Sequence, residues 1–151
     1  MLTVDGLPLH PLIVHAVVVL LPLAALGGLA ISLRRSWRIR YGWPVLLVAV
    51  VAVACVPVAQ RSGQELAAKL PGSPRVEAHA DLGGTLLWYA LPFLITLLVL
   101  ITAGRIADHD HSTLWKRIAL LAAALTVFLG AATIFQVIRI GHSGATAVWG
   151  G

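Results

Sequence analysis

The chain has 151 residues, of which 59% are apolar and 11% charged, with a formal charge of +5 and a mean hydropathy of +0.92. Typical globular chains are about 45–50% apolar and about 25% charged, and eleven basic plus six acidic residues cannot cover a small soluble domain with polar groups. A soluble enzyme, a disordered tail and a disulfide-stapled secreted module are thereby excluded, leaving an all-α integral membrane protein of one domain, residues 1–151.

A spanning helix needs ~20 largely apolar residues, and four runs meet or approach this. The N-terminus, Met1-Leu2-Thr3-Val4-Asp5, lacks a basic region, so no cleaved signal peptide is expected. The first run is Leu12 to Leu33. It is preceded by Gly6-Leu7-Pro8-Leu9-His10-Pro11, with His15 about one turn inside it. Pro11 is expected to start the helix and leave His10 free to fold back. The second run, Trp43 to Ala59, is short but extendable at both ends. It holds the lone cysteine, Cys55, so neither a disulfide framework nor a thiol metal site is expected.

Residues 60–81 form the one long connection. Ser62-Gly63-Gln64-Glu65 matches a capping box, predicting a short amphipathic surface helix stopped by Pro71-Gly72-Ser73-Pro74. Ser73 and Pro74 suit the cap and first position of the next helix. The third run, Leu82 to Gly104, follows His79 and includes Gly83 and Gly84. Asp108-His109-Asp110-His111 reads as a polar turn, with Asp110, Ser112 or Thr113 capping the fourth run, Ile118 to Ile138. Gly141-His142-Ser143-Gly144-Ala145 lies just beyond. Pro22, Pro57 and Pro92 fall inside spans, where membrane helices tolerate them. No internal repeat is legible.

The connections set the direction. Seven basic residues flank the first and third connections, against two acidic ones. The opposite side has four of each. The positive-inside rule makes the first side cytoplasmic and puts both termini outside, giving an up-down four-helix bundle. Trp37, Tyr41, Trp43 and Trp115 fall at the cytoplasmic boundary, as an aromatic belt requires. The basic residues follow topology and are not interleaved with aromatics on a soluble face, so nucleic acid is not an expected partner.

The same topology carries His10, His15, His79 and His142 to one depth on the outer face. Spans one and three are diagonal in such a bundle, so His15 and His79 are the expected axial pair for a b-type haem. Gly83, one turn below His79, would make room for a porphyrin, and Arg139 or Arg75 would meet its propionates. The alternative is a bare metal site in which His10, His15, His79 and His142, with Glu77 or Asp81, bind Zn, Cu or Fe. His10 and His15 would face about 140° apart on a helix, so one shared site or two separate ones are both permitted. Histidine at a membrane interface also serves structure alone, by bonding backbone or a neighbouring helix. A non-redox accessory subunit is therefore the third reading. Gln136 lies where it could support the outer site, Trp88 where it could floor it. Gly27-Gly28 and Gly130 read as close-packing patches. No nucleophile elbow, phosphate loop or paired catalytic carboxylates are present, so the chain is not expected to be an enzyme on its own.

These motifs resemble a family of bacterial membrane proteins catalogued as domain of unknown function 2231. The likeness rests on Gly6-Leu7-Pro8-Leu9-His10-Pro11 with Val14-His15, on His79 with Leu82-Gly83, and on Gly141-His142-Ser143-Gly144-Ala145. It spans essentially the whole chain. Family members often follow the second histidine with Phe-Pro, where this chain has Ala16-Val17. The resemblance implies a multi-pass protein of the bacterial inner membrane. Because members can be joined to Rieske-type redox domains, it also implies electron transfer with a quinone, an extracytoplasmic redox protein or a larger respiratory complex.

Overall fold

A bilayer offers the backbone no hydrogen-bond partners, so each apolar run must satisfy its own amides as helix. The computed structural model describes residues 3–4, 7–68, 73–110 and 112–149, and these follow that rule. A two-residue antiparallel pairing of β1 (Thr3–Val4) with β2 (Leu7–Pro8) precedes the helices. The helices are α1 (Leu9–Leu33), α2 (Arg35–Ala67), α3 (Pro74–Gly84), α4 (Leu86–Asp110) and α5 (Thr113–Trp149). Four stretches are long and apolar enough to span a membrane, α3 and α4 together forming the third.

The ends of these helices depart from the sequence reading in instructive ways. Residues Ser62 to Glu65 do not cap a separate surface helix, because α2 runs unbroken to Ala67. A capping box needs extended backbone at its serine, and here Ser62 is itself inside the helix. The Ser62 hydroxyl instead donates to the Ala59 carbonyl at 3.0 Å. Lys69 to Gly72 lie outside the described residues. α3 starts at Pro74 as expected, and Ser73 has extended backbone, but its hydroxyl makes no capping bond. α2 and α5, with 33 and 37 residues, far exceed the ~20 needed to cross the hydrocarbon. Their surplus, joined by α3, builds a polar collar at the end where α1 begins.

One residue of extended backbone, Arg34, reverses the chain between α1 and α2. α2 packs on α4, α4 on α5, and α5 returns beside α1, so α1 and α4 are diagonal and make little contact. This is the up-down bundle that short connections impose. α4 is the most enclosed helix. Phe93, Leu97, Leu100 and Ile101 are fully buried against small residues such as Ala24, Ala49 and Ala122. A second cluster around Leu21, Ala52, Val56 and Ala90 continues the core toward the collar. Large apolar side chains, including Val19, Leu26, Leu120 and Phe128, are exposed instead. Small residues interleaved with large ones inside, and large apolar side chains outside, suit a lipid solvent, where close backbone approach drives association.

The glycine patches serve that approach. A Cβ at Gly28 would stand 3.3 Å from the Phe93 ring, and one at Gly130 3.4 Å from it. At the basic end, Arg34 stacks over Trp37, Arg40 over Tyr41 and Arg105 over Trp43, with the charge 5.2–5.5 Å from the ring centres. Exposed aromatic rings paired with cations suit the headgroup layer.

Candidate functional site in the histidine collar

The collar gathers the start of α1, the last turns of α2, all of α3 and the last turns of α5. His10 stands in the first turn of α1, where Pro11 removes an amide that had no helical partner anyway. Its side chain does fold back. Nδ1 lies 3.1 Å from the Ala59 carbonyl and 3.2 Å from Ser62 Oγ, both on α2. A carbonyl only accepts, and the Ser62 proton already goes to Ala59. Nδ1 must therefore carry the imidazole proton, which leaves the Nε2 lone pair unused.

His79 repeats this on α3. Its Nδ1 lies 2.9 Å from Ser143 Oγ on α5, and that hydroxyl donates to the Ile140 carbonyl at 2.8 Å. Ser143 can thus only accept from the ring, and Nε2 is again the free nitrogen. In both places a glycine follows the serine and clears space. A Cβ on Gly63 would sit 2.8 Å from His10 Cε1, and one on Gly144 would sit 3.0 Å from His79 Cε1. The hairpin of α1 with α2 and that of α3–α4 with α5 therefore carry the same local device. Its only sequence trace is the dipeptide Ser-Gly at 62–63 and 143–144, too short to register as a repeat. Ser62, Gly63, Ser143 and Gly144 were accordingly missed as site residues.

The other histidines are placed differently. His15, expected to pair with His79, is exposed and closes a 2.6 Å bond from Nδ1 to the Pro11 carbonyl of its own helix. One more helical turn, with a different azimuth, carries it away from the collar's inter-helix bonds. His142 is exposed on α5, beside Ser143 in sequence but a different direction around the helix. Glu77 and Asp81 are exposed on α3, and His109 is exposed at the end of α4. His111 lies outside the described residues. Among the described residues, no group of three or more His, Cys, Asp or Glu side chains gathers as a metal site would require.

Below His79 the third span is broken at Thr85, and two amides brace the break. Gln60 of α2 donates from Nε2 to the Gly83 and Gly84 carbonyls at 2.9 and 3.2 Å. Gln136 of α5, almost fully buried, donates to Thr85 Oγ1 at 2.6 Å, and Thr85 donates on to the Leu82 carbonyl. Arg139 donates to Gln136 Oε1 at 3.3 Å and lies over the Phe135 ring. Gln136 and Arg139 thus hold the helix break. Side chains at Gly83 and Gly84 would meet nothing within 4 Å, so α3 has open space beside it there. Trp88 is largely exposed and floors no cavity.

A family model described as a predicted membrane protein, DUF2231, matches residues 6–151. No curated protein and no solved structure matches the chain.

Proposed function

The chain therefore belongs to the DUF2231 family of membrane proteins, and within that family we propose a bis-histidine centre in the collar, with His10 and His79 as ligands. One observation carries the reading. Two imidazoles from diagonal parts of the bundle are both held as the Nδ1–H tautomer by partners that can only accept, leaving both Nε2 atoms as ligand donors. Anchoring the remote nitrogen in this way is how proteins orient metal-binding histidine.

The donor set favours haem b over a bare ion. A porphyrin supplies four of the six positions on iron and asks the protein for two, whereas Zn or Cu held by protein alone takes three or four ligands. Two anchored imidazoles stand in the collar, and no group of three or more His, Cys, Asp or Glu side chains gathers among the described residues. Space beside Gly83 suits a flat macrocycle, and Arg139 would offer a cation for its carboxylates. Bound haem would supply one-electron transfer, with a quinone or a redox protein outside the membrane as partner. The positive-inside rule would place the collar on the outer face of a bacterial inner membrane.

A second reading has its own observation. Each histidine already bonds across its own hairpin, so the pair would staple the bundle of an accessory subunit. Optical spectra of the detergent-purified protein, before and after dithionite, test this. Haem predicts a Soret peak and split α/β bands, abolished by His10→Ala or His79→Ala and retained in His15→Ala. Colourless protein with stoichiometric metal points to a bare ion. Colourless, metal-free protein from haem-replete cells overturns the centre and leaves the staple.

A further inference from the structure

We propose that the opposite, basic end of the bundle binds a phosphate-bearing anion. A cavity of about 520 Å³ opens there, bounded by Ser32 at the end of α1, Arg35 and Arg38 on α2, Asp108 on α4, and Lys116 and Leu120 on α5. All four spans contribute. Three cations face one carboxylate, and that carboxylate is already engaged by Arg35 Nε at 2.8 Å. Arg38 is half-buried and lies directly on Gly104, where a Cβ would be 2.6 Å from its Nε. The backbone of α4 is thus hollowed to seat a guanidinium whose neighbouring carboxylate, Asp108, is already bonded to Arg35.

The helix ends sharpen this excess. α2 and α5 both begin at this end, neither has an acidic residue in its first turn, and the first turns of α2 hold arginines. Cations at a helix N-terminus oppose the dipole, while an anion there is favoured by dipole, free amides and side chains together. A phosphate group carries the one or two negative charges that the cavity lacks. The cavity wall descends along α5 through Ala119, Leu120 and Ala123, and Leu120 is 72% exposed. An apolar ladder below a cationic mouth matches a lipid phosphate with its chain along α5. Free phosphate shares the headgroup chemistry but makes no use of the ladder.

The test is thermal unfolding of the purified protein titrated with phosphatidylglycerol, phosphatidylcholine or inorganic phosphate. The proposal expects phosphatidylglycerol to stabilise more than phosphatidylcholine. Arg38→Gln or Lys116→Gln should weaken that effect about tenfold. Arg40→Gln, stacked on Tyr41 outside the cavity, should leave it intact. A response to inorganic phosphate with the same mutational pattern assigns the site to a free anion instead of a lipid. Should Arg38→Gln fail to fold, exposed Lys116 carries the test alone. Equal responses to both lipids with none to phosphate, or equal losses in Arg40→Gln and Lys116→Gln, overturn the site.

Discussion

At the scale of single residues, a hydroxyl proton decides the chemistry of an imidazole. Ser143 spends its proton on Ile140 and so compels His79 to donate from Nδ1. Ser143→Ala should release that constraint, and any pigment bound through Nε2 should shift in potential and lose affinity, about 10- to 100-fold for such an outer support. Gly144→Ala should be harsher, since its Cβ would press on the ring. Absorbance titration of either variant checks both outcomes. The spans hold a different lesson. Thr96, Thr102 and Thr133 return their hydroxyls to carbonyls three or four residues back, as membrane helices favour. Thr126 does not, and its buried oxygen has no partner among the described residues. Thr126→Val removes that unmet group at nearly constant shape, so thermal unfolding should show a gain of about 1 kcal/mol.

At the scale of elements, the break between α3 and α4 shows how a membrane helix can be interrupted without stranding its carbonyls. Two glycines loosen the backbone, and amides from α2 and α5 meet the exposed groups. Gln60→Leu should cost about 1 kcal/mol, the scale of a membrane side-chain hydrogen bond. The loss should be local. Hydrogen exchange is expected to quicken across Pro74–Gly84 and stay slow in Leu86–Asp110. Uniform acceleration of both would mean that the amide braces the whole bundle. Gly63 has a comparable double life. It costs helix stability inside α2, and its missing side chain is what admits His10.

At the scale of the molecule, Phe93 is the side chain around which the bundle closes. It is fully buried, with Gly28 and Gly130 cleared for its ring. Phe93→Ala would leave a cavity between three helices and should destabilise by about 3–5 kcal/mol, measured by unfolding in mixed detergent. Neither proposed site need be lost while the fold persists, because the collar and the basic cavity occupy opposite ends.

Much of this was legible in the chain. Apolar runs of spanning length became helices because a bilayer permits little else, and short connections made neighbours antiparallel. The extra length of α2 and α5 was only partly visible, since polar residues beyond a span do not say whether the helix continues. That His10 bonds across to α2 while His15 bonds within its own helix was not visible at all. Each residue turns a helix by about 100°, so a small difference in where α1 starts redirects every side chain, and no local pattern reports the azimuth of one helix against another. The four membrane spans and the grouping of histidines at one end were set by the sequence alone, through solvation of the backbone. Which imidazoles bond to a neighbouring helix, which serines orient them, and the seating of Arg38 against Gly104 were decided by packing, because those contacts join residues far apart in the chain.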